Sequence, residues 1–188
     1  MKKPAAPQGL KFVFSAEPPV ALAAKDQELT ELLTVVNLEW ERLENLLFKL
    51  FALLLDCPWQ CSRTIYFVHQ NHRARRDMIA ALAELVLAKK TGELEKVRSF
   101  LRRAKTASSN RNSIIHAVWA VADIEGKSEL VRQPVDPNLV KQHNGGLTRA
   151  DIKRAFEQIH SLSKDLAADV EQRFMERFKI GALFVFYP

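Results

Sequence analysis

Between residues 26 and 55, apolar side chains recur at steps of three and four residues. Because an α-helix turns once in about 3.6 residues, this spacing places them on one broad face. The pattern predicts one long amphipathic helix that ends before Pro58 and buries its apolar face against other helices. The apolar positions are Leu29, Leu32, Leu33, Val36, Trp40, Leu43, Leu46, Leu47, Leu50 and Leu54.

Three further helices are predicted along the chain. A second spans residues 62–90, and Gly92 follows it as a stop signal. A third spans residues 93–123 and is either continuous or broken near Ser109, where residues that favour helix caps cluster. A last helix spans residues 148–178 and opens with a Thr-x-x-Asp pattern typical of a capping box.

Residues 124–146 hold the glycines and prolines expected of an excursion between helices. Leu130-Val131 and Leu139-Val140 flank an Asp136-Pro137-Asn138 turn, which suits a small β-hairpin. We therefore predict an all-α fold, an antiparallel bundle of four main helices with a small β-hairpin or loop insert before the last helix. Residues 26–188 form a single domain in this interpretation, and residues 1–25, with four prolines, form a flexible N-terminal arm.

Composition narrows the class of protein. The chain has 188 residues, of which 47% are hydrophobic and 27% charged, the profile of a soluble globular protein. Its apolar runs are far shorter than the ~20 residues of a membrane helix, and its N-terminus is a poor secretory signal. Two cysteines make no disulfide framework. We expect a cytoplasmic protein without a membrane partner.

Positive charge is concentrated in one part of the chain. Residues 63–105 contain 11 Lys or Arg and 4 Asp or Glu, a local balance of +7, whereas residues 26–55 contain 6 acidic and 2 basic residues. Two interpretations follow from this contrast. The two segments attract each other as neighbouring helices, or the basic segment presents a positive face to a polyanion.

Seven basic residues are predicted to contact RNA, and they lie on one face of the second helix and one face of the third. If the third helix is continuous, its polar face also carries Ser109 and leads to His116. The alternative for both faces is ordinary solvation, with pairing to the first helix. The predicted RNA-binding residues are His69, His72, Arg73 and Arg76 on the second helix and Arg98, Arg102 and Lys105 on the third.

The most informative motif is Arg111-Asn112-Ser113-Ile114-Ile115-His116. It resembles the HEPN superfamily of small helical proteins, whose ribonuclease members carry Arg, four to six residues and then His, usually with a polar residue after the Arg. The resemblance implies a metal-independent endoribonuclease, toxin-like or related to defence, or an RNA-binding relative. It also implies a homodimer that juxtaposes two motifs, and a separate protein partner that neutralises the activity.

The candidate catalytic residues are Arg111, Asn112 and His116. An imidazole can move a proton near neutral pH, and a guanidinium can stabilise the charge that develops on a phosphate under attack by a 2′-hydroxyl. Asn112 would orient the substrate or the histidine. Residues 111 and 116 lie about 140° apart on an ideal helix, so the pair needs a helix break near Ser109 or a second subunit.

We predict no metal and no cofactor. One candidate set of zinc ligands is present, and its spacing fits common zinc-binding patterns poorly. It consists of Cys57, Cys61, His69 and His72. The rival function is a non-catalytic helical interaction module that binds a protein or nucleotide partner. In that case Arg111 would pair with an acidic residue of the first helix, and His116 would be a structural histidine.

Overall fold

The structure is a computed structural model that describes residues 27–115, 118–124, 127–133 and 149–178. Helices account for most of these residues. No helix in the described part is both long and apolar enough to cross a membrane. The elements are α1 (Gln27–Leu55), α2 (Trp59–Val68), α3 (His72–Val86), α4 (Thr91–Ile115), β1 (Val118–Ile124), β2 (Lys127–Gln133) and α5 (Arg149–Phe178).

Helix α1 has the amphipathic character that its sequence predicts. Trp40, Leu43 and Leu50 are fully buried, and of the ten predicted apolar positions only Leu32 and Leu33 are partly exposed. The helix ends at Asp56, whose φ of 55° is left-handed and whose backbone N–H donates to the Ala52 carbonyl at 3.3 Å. Asp tolerates this conformation better than most residues, so it serves as the helix stop.

The predicted second helix is two helices, and the prediction of one helix over residues 62–90 is wrong. Helix α2 ends at Val68, and α3 begins at His72. Asn71 caps α3, because its side-chain oxygen accepts a hydrogen bond from the Ala74 backbone at 2.7 Å. Asn is among the strongest N-cap residues, which explains why the chain restarts a helix here.

Helix α4 is continuous from Thr91 to Ile115 and runs unbroken through Ser109. The prediction that it extends to about residue 123 is wrong, because Val118–Ile124 is a strand. This run contains β-branched and aromatic residues, which favour a pleated strand over a helix. The strand pairs antiparallel with Lys127–Gln133. The predicted turn at Asp136-Pro137-Asn138 and the predicted N-terminal arm lie outside the described residues.

Contacts divide the chain into two compact units. In one, which holds residues 27–34 and 112–153 where they are described, Arg149 binds the Glu28 carboxylate at 2.5 Å and Lys153 reaches it at 3.5 Å. The strands β1 and β2 also belong to this unit.

The other unit holds residues 35–111 and 154–178, and its helices α4 and α5 are antiparallel. Polar contacts show this direction, because residues further along α4 contact residues nearer the start of α5. These contacts pair Glu93 with Arg173, Lys96 with Asp169, Arg103 with Asp165 and Asn110 with Gln158, at 2.7–2.8 Å.

Candidate nucleic-acid site

Two residues of the Arg-Asn-x3-His motif lie on the last turns of α4. Arg111 is half-buried, and its Nη2 donates to the Asn37 side-chain oxygen of α1 at 2.9 Å. Asn112 is exposed. The hydrogen bond to the uncharged Asn37 amide helps to orient the guanidinium. His116 follows the helix by one residue and lies outside the described part of the chain.

The polar face predicted for a continuous third helix is a row of exposed or partly exposed side chains on α4, which we call the α4 ridge. Its members are Arg98, Arg102, Lys105, Ser109 and Asn112. Their three- and four-residue spacing keeps them on one side of the helix, as the sequence predicts.

The three cations of the ridge differ in how far they are already neutralised. Arg98 binds Glu84 of α3 at 2.6–2.7 Å and also contacts Glu95. Hydrogen bonds to Glu95 and Glu84 raise the pKa of Arg98. Arg102 and Lys105 are exposed and make no ion pair with any carboxylate of the described residues. They are the ridge cations that an anionic ligand can reach.

The break between α2 and α3 separates His69 from the other three predicted RNA-binding residues, His72, Arg73 and Arg76, which lie on α3. His69 is exposed at the end of α2, and its carbonyl accepts from Arg75 Nε at 2.8 Å. Arg73 is exposed and lies 3.7 Å from Asp77. Arg76 is partly buried, and this burial lowers its pKa.

His72 turns inward to a buried carboxylate on α1. Its Nδ1 lies 2.7 Å from Glu44 Oε1, and its ring meets Trp40 edge-on with centroids 4.9 Å apart. Glu44 is only 6% exposed and also accepts from Arg75 Nη1 at 3.0 Å. His72 and Arg75 of the basic segment therefore pair with Glu44 of the first helix.

Sequence reasoning missed Glu44 and Arg75. The signal for Glu44 is its position, because it lies between Leu43 and Leu47 on the predicted apolar face of α1. Tyr66 of α2 is buried in the same region, where burial and the Glu44 charge raise its pKa. This polar cluster joins α1, α2 and α3.

An open groove of about 430 Å³ lies between α4 and α5, next to the ridge. Arg103 is fixed on its wall by Asp165 at 2.7 Å and by Ser161 at 3.4 Å. Sequence reasoning did not single out this groove. It is lined by Arg103, Thr106, Ala107, Arg154, Glu157, Gln158 and Ser161.

The described residues contain no group of three or more His, Cys, Asp or Glu side chains placed to hold a metal ion. Cys57 and Cys61 are free thiols. Cys57 Sγ lies 3.3 Å from Ser62 Oγ, and a hydrogen bond with Cys57 raises the pKa of Cys61. Within the described residues, the cysteines and His69 and His72 thus form no metal cluster.

Comparisons of the chain with protein-family models, with curated proteins and with solved structures give no match.

Proposed function

We propose that this chain is a HEPN-like, metal-independent endoribonuclease. The observation that carries the proposal is the setting of Arg111, a half-buried guanidinium oriented by an amide at the end of a helix whose exposed face holds Arg102 and Lys105. The hydrogen bond from Arg111 to the Asn37 side-chain oxygen of α1 supports this orientation.

The reaction needs side chains of this chain and solvent water. His116 accepts the proton of a 2′-hydroxyl, whose oxygen attacks the adjacent phosphorus while the bond to the 5′-oxygen breaks. Arg111 stabilises the extra charge on the phosphorane, and Asn112 orients the substrate or the histidine. The departing 5′-oxygen takes a proton from water, which leaves a 2′,3′-cyclic phosphate and a 5′-hydroxyl, and His116 returns its proton to the solvent. Arg102 and Lys105 hold neighbouring phosphates.

The proposed active form is a homodimer. Helix α4 is continuous through Ser109, so the helix break near Ser109 that the motif would need within one chain is absent. This favours the second arrangement that the motif allows, in which a partner chain completes each site. In the proposed HEPN-like bundle, α1, α3, α4 and α5 are the four main helices and the β1–β2 pair is the insert. We place the protein in the cytoplasm, with a toxin-like or defence role and a separate protein that neutralises it.

The first test is RNA cleavage by the purified chain and growth arrest on its expression. We expect wild type to cut RNA and arrest growth, and both His116→Ala and Arg111→Ala to do neither. General acid–base catalysis contributes about 10²–10⁴-fold and an electrostatic donor about 10²–10³-fold, so either loss would be measurable. His160→Ala, an exposed histidine on α5, is the matched control and should cut like wild type.

Two further measurements probe the chemistry. A substrate with 2′-O-methyl groups should resist cleavage, because it lacks the attacking hydroxyl. EDTA should leave cleavage intact. Activity that is lost in EDTA and restored by magnesium or zinc would contradict the mechanism. If wild type cuts no RNA and both variants lose stability, the interaction module becomes the better interpretation.

A further inference from the structure

Two half-exposed aromatic rings lie near the two ends of α2, and one buried ring of α1 packs against both. Trp59 is 48% exposed and Phe67 is 42% exposed, unusual values for side chains of this size. Both pack against Phe48 of α1, with ring centroids 4.5 Å and 5.4 Å away. Because Phe48 is buried, it fixes the two outer rings. We call Phe48, Trp59 and Phe67 the α2 platform.

An arginine lies between the two exposed rings. Trp59, Arg63 and Phe67 follow at four-residue steps, so they share one side of α2 at intervals of about 6 Å along the axis. Arg63 is exposed. The guanidinium of Arg75 lies 4.9 Å from the Phe67 ring centroid and is itself held by Glu44, so Phe67 has a fixed orientation. The exposed stripe therefore alternates aromatic, cation, aromatic.

Carboxylates are absent from this stretch of sequence. Residues 57–76 contain four arginines and no Asp or Glu. Of these arginines, Arg63 and Arg73 are exposed, and Arg73 lies at 3.7 Å from Asp77, just beyond the stretch. A surface with exposed cations and no interleaved anions attracts a polyanion.

We propose that the α2 platform stacks bases of single-stranded RNA, while Arg63 and Arg73 contact the phosphates. The proposal rests on the proposed function, because it names where the substrate of that nuclease docks. Every base has a flat face, so half-exposed rings bind single strands without needing a sequence. Exposed cations beside two rings match a ligand that presents phosphates next to flat bases, whereas a membrane surface presents no bases to stack. By contrast, the exposed aliphatic pair Leu85 and Val86 on α3 follows an acidic residue, Glu84, and offers no ring to stack.

The test measures binding of a labelled oligouridine of about 20 nucleotides to the full chain carrying His116→Ala, which keeps the RNA intact. Trp59→Ala and Phe67→Ala should each weaken binding by about 5-fold to 150-fold, the range known for one lost stacking contact. Trp59→Phe and Phe67→Tyr should restore most of the affinity because they retain a ring. Leu85→Ala removes an apolar side chain that is 78% exposed and should bind like the parent.

Tryptophan fluorescence distinguishes stacking from simple attraction to phosphate. The chain has three tryptophans, so the measurement uses a Trp119→Phe background, in which only Trp40 and Trp59 remain. Trp59 is half-exposed whereas Trp40 is fully buried, so on this background the RNA-sensitive signal should vanish in Trp59→Phe. Oligouridine should quench this signal, and inorganic polyphosphate should not. Duplex RNA should bind these rings more weakly than the single strand, because its bases are already stacked.

Several results would overturn the platform. They are unchanged RNA affinity in both alanine variants, equal quenching by polyphosphate, a shift from dimer to monomer in Trp59→Ala by sedimentation, or loss of vesicle binding in place of RNA binding. The last two outcomes would assign the surface to a second copy or to a membrane. If wild type cuts RNA and the platform variants bind and cut equally well, only the platform is wrong. If binding depends on Trp59 and nothing is cut, only the nuclease is wrong.

Discussion

Glu44 and Asp169 are carboxylates that lie almost entirely inside the protein, with exposures of 6% and 4%. Each gathers two basic side chains. Arg75 and His72 surround Glu44, and Arg173 and Lys96 surround Asp169 at 2.7 Å each. A buried charge is tolerated only when it is paired and hydrogen-bonded, so Glu44 holds His72 and Arg75 inward and Asp169 holds Arg173 inward, whereas Lys96 remains half-exposed.

Removing the Glu44 carboxylate should therefore destabilise the fold. Glu44→Ala leaves Arg75 beside Tyr66 without its anion, and breaking a buried pair in this way costs about 3–5 kcal/mol. The free energy of unfolding in urea measures the loss. Glu41→Ala, an exposed carboxylate on the same helix, is the control and should change stability by less than about 0.5 kcal/mol. Equal stability of the two variants would contradict the structural role of Glu44.

Tyr66 gives a prediction with a pH dependence. Its hydroxyl is buried and has no hydrogen-bond partner among the described residues. Tyr66→Phe should therefore raise the free energy of unfolding by about 1 kcal/mol at pH 7.

The advantage of Tyr66→Phe should grow in alkali. The pKa of Tyr66 is raised in the folded state, so above about pH 10 the unfolded phenol loses its proton first and the wild-type fold loses stability as pH rises. Phe has no proton to lose. Unfolding of both proteins between pH 7 and 11 tests this, and a wild type that gains on the variant with rising pH would contradict it.

Among the elements, α1 and α5 are the two that periodicity locates to within one residue at each end. The apolar repeat in each is long, and neither contains a competing local signal. The break after Val68 was missed, because the apolar pattern on either side is helical and only the cap at Asn71 marks it. The end of α4 was missed because the predicted helix extends to residue 123, although the composition of residues 118–124 favours a strand.

Only the part of the candidate site that lies on one helix was predictable. The α4 ridge follows from residue spacing alone, and its side chains are exposed or partly exposed, as expected for a polar helix face. Partners on other elements were not predictable, because spacing within a helix does not say which carboxylate it meets. Glu84 neutralises Arg98 and Glu44 draws His72 inward, and no pattern in the neighbouring sequence indicates either pairing.

The ridge should make RNA binding sensitive to salt. Each phosphate contact on a single strand contributes a slope of about −0.7 in log K against log salt concentration. Arg102→Ala and Lys105→Ala should each flatten the slope by about that amount. Arg98→Ala should change it less, because Glu84 and Glu95 already neutralise this residue.

Titrations with oligouridine from low to moderate salt give these slopes, on the His116→Ala background. Lys164→Ala, an exposed lysine on α5, serves as the control for charge alone. If the three ridge variants and Lys164→Ala all shift the slope equally, RNA binding depends on net charge alone and the α4 ridge is not a specific phosphate-binding surface.

On the scale of the whole molecule, the proposed site depends on how many chains build it. Arg111 is oriented within its own chain by Asn37, and α4 carries it without a kink. A site completed across a two-fold axis contains Arg111 of one protomer and His116 of the other. A site within one chain contains both from the same protomer.

A mixed dimer separates these two arrangements. One chain carries Arg111→Ala, the other carries His116→Ala, and two different affinity tags allow the heterodimer to be purified. If each site is shared, one of the two sites keeps an intact arginine and an intact histidine, so the mixed dimer should cut RNA at about half the wild-type rate. Both parent homodimers should be inactive. Arg111→Ala also removes the hydrogen bond to Asn37, so its melting temperature should fall by about 2–4 °C, whereas His116→Ala should melt like wild type. A mixed dimer that is inactive although it melts no lower than the Arg111→Ala homodimer would place each site within one chain and would refute the shared site while leaving the chemistry of Arg111 and His116 in place.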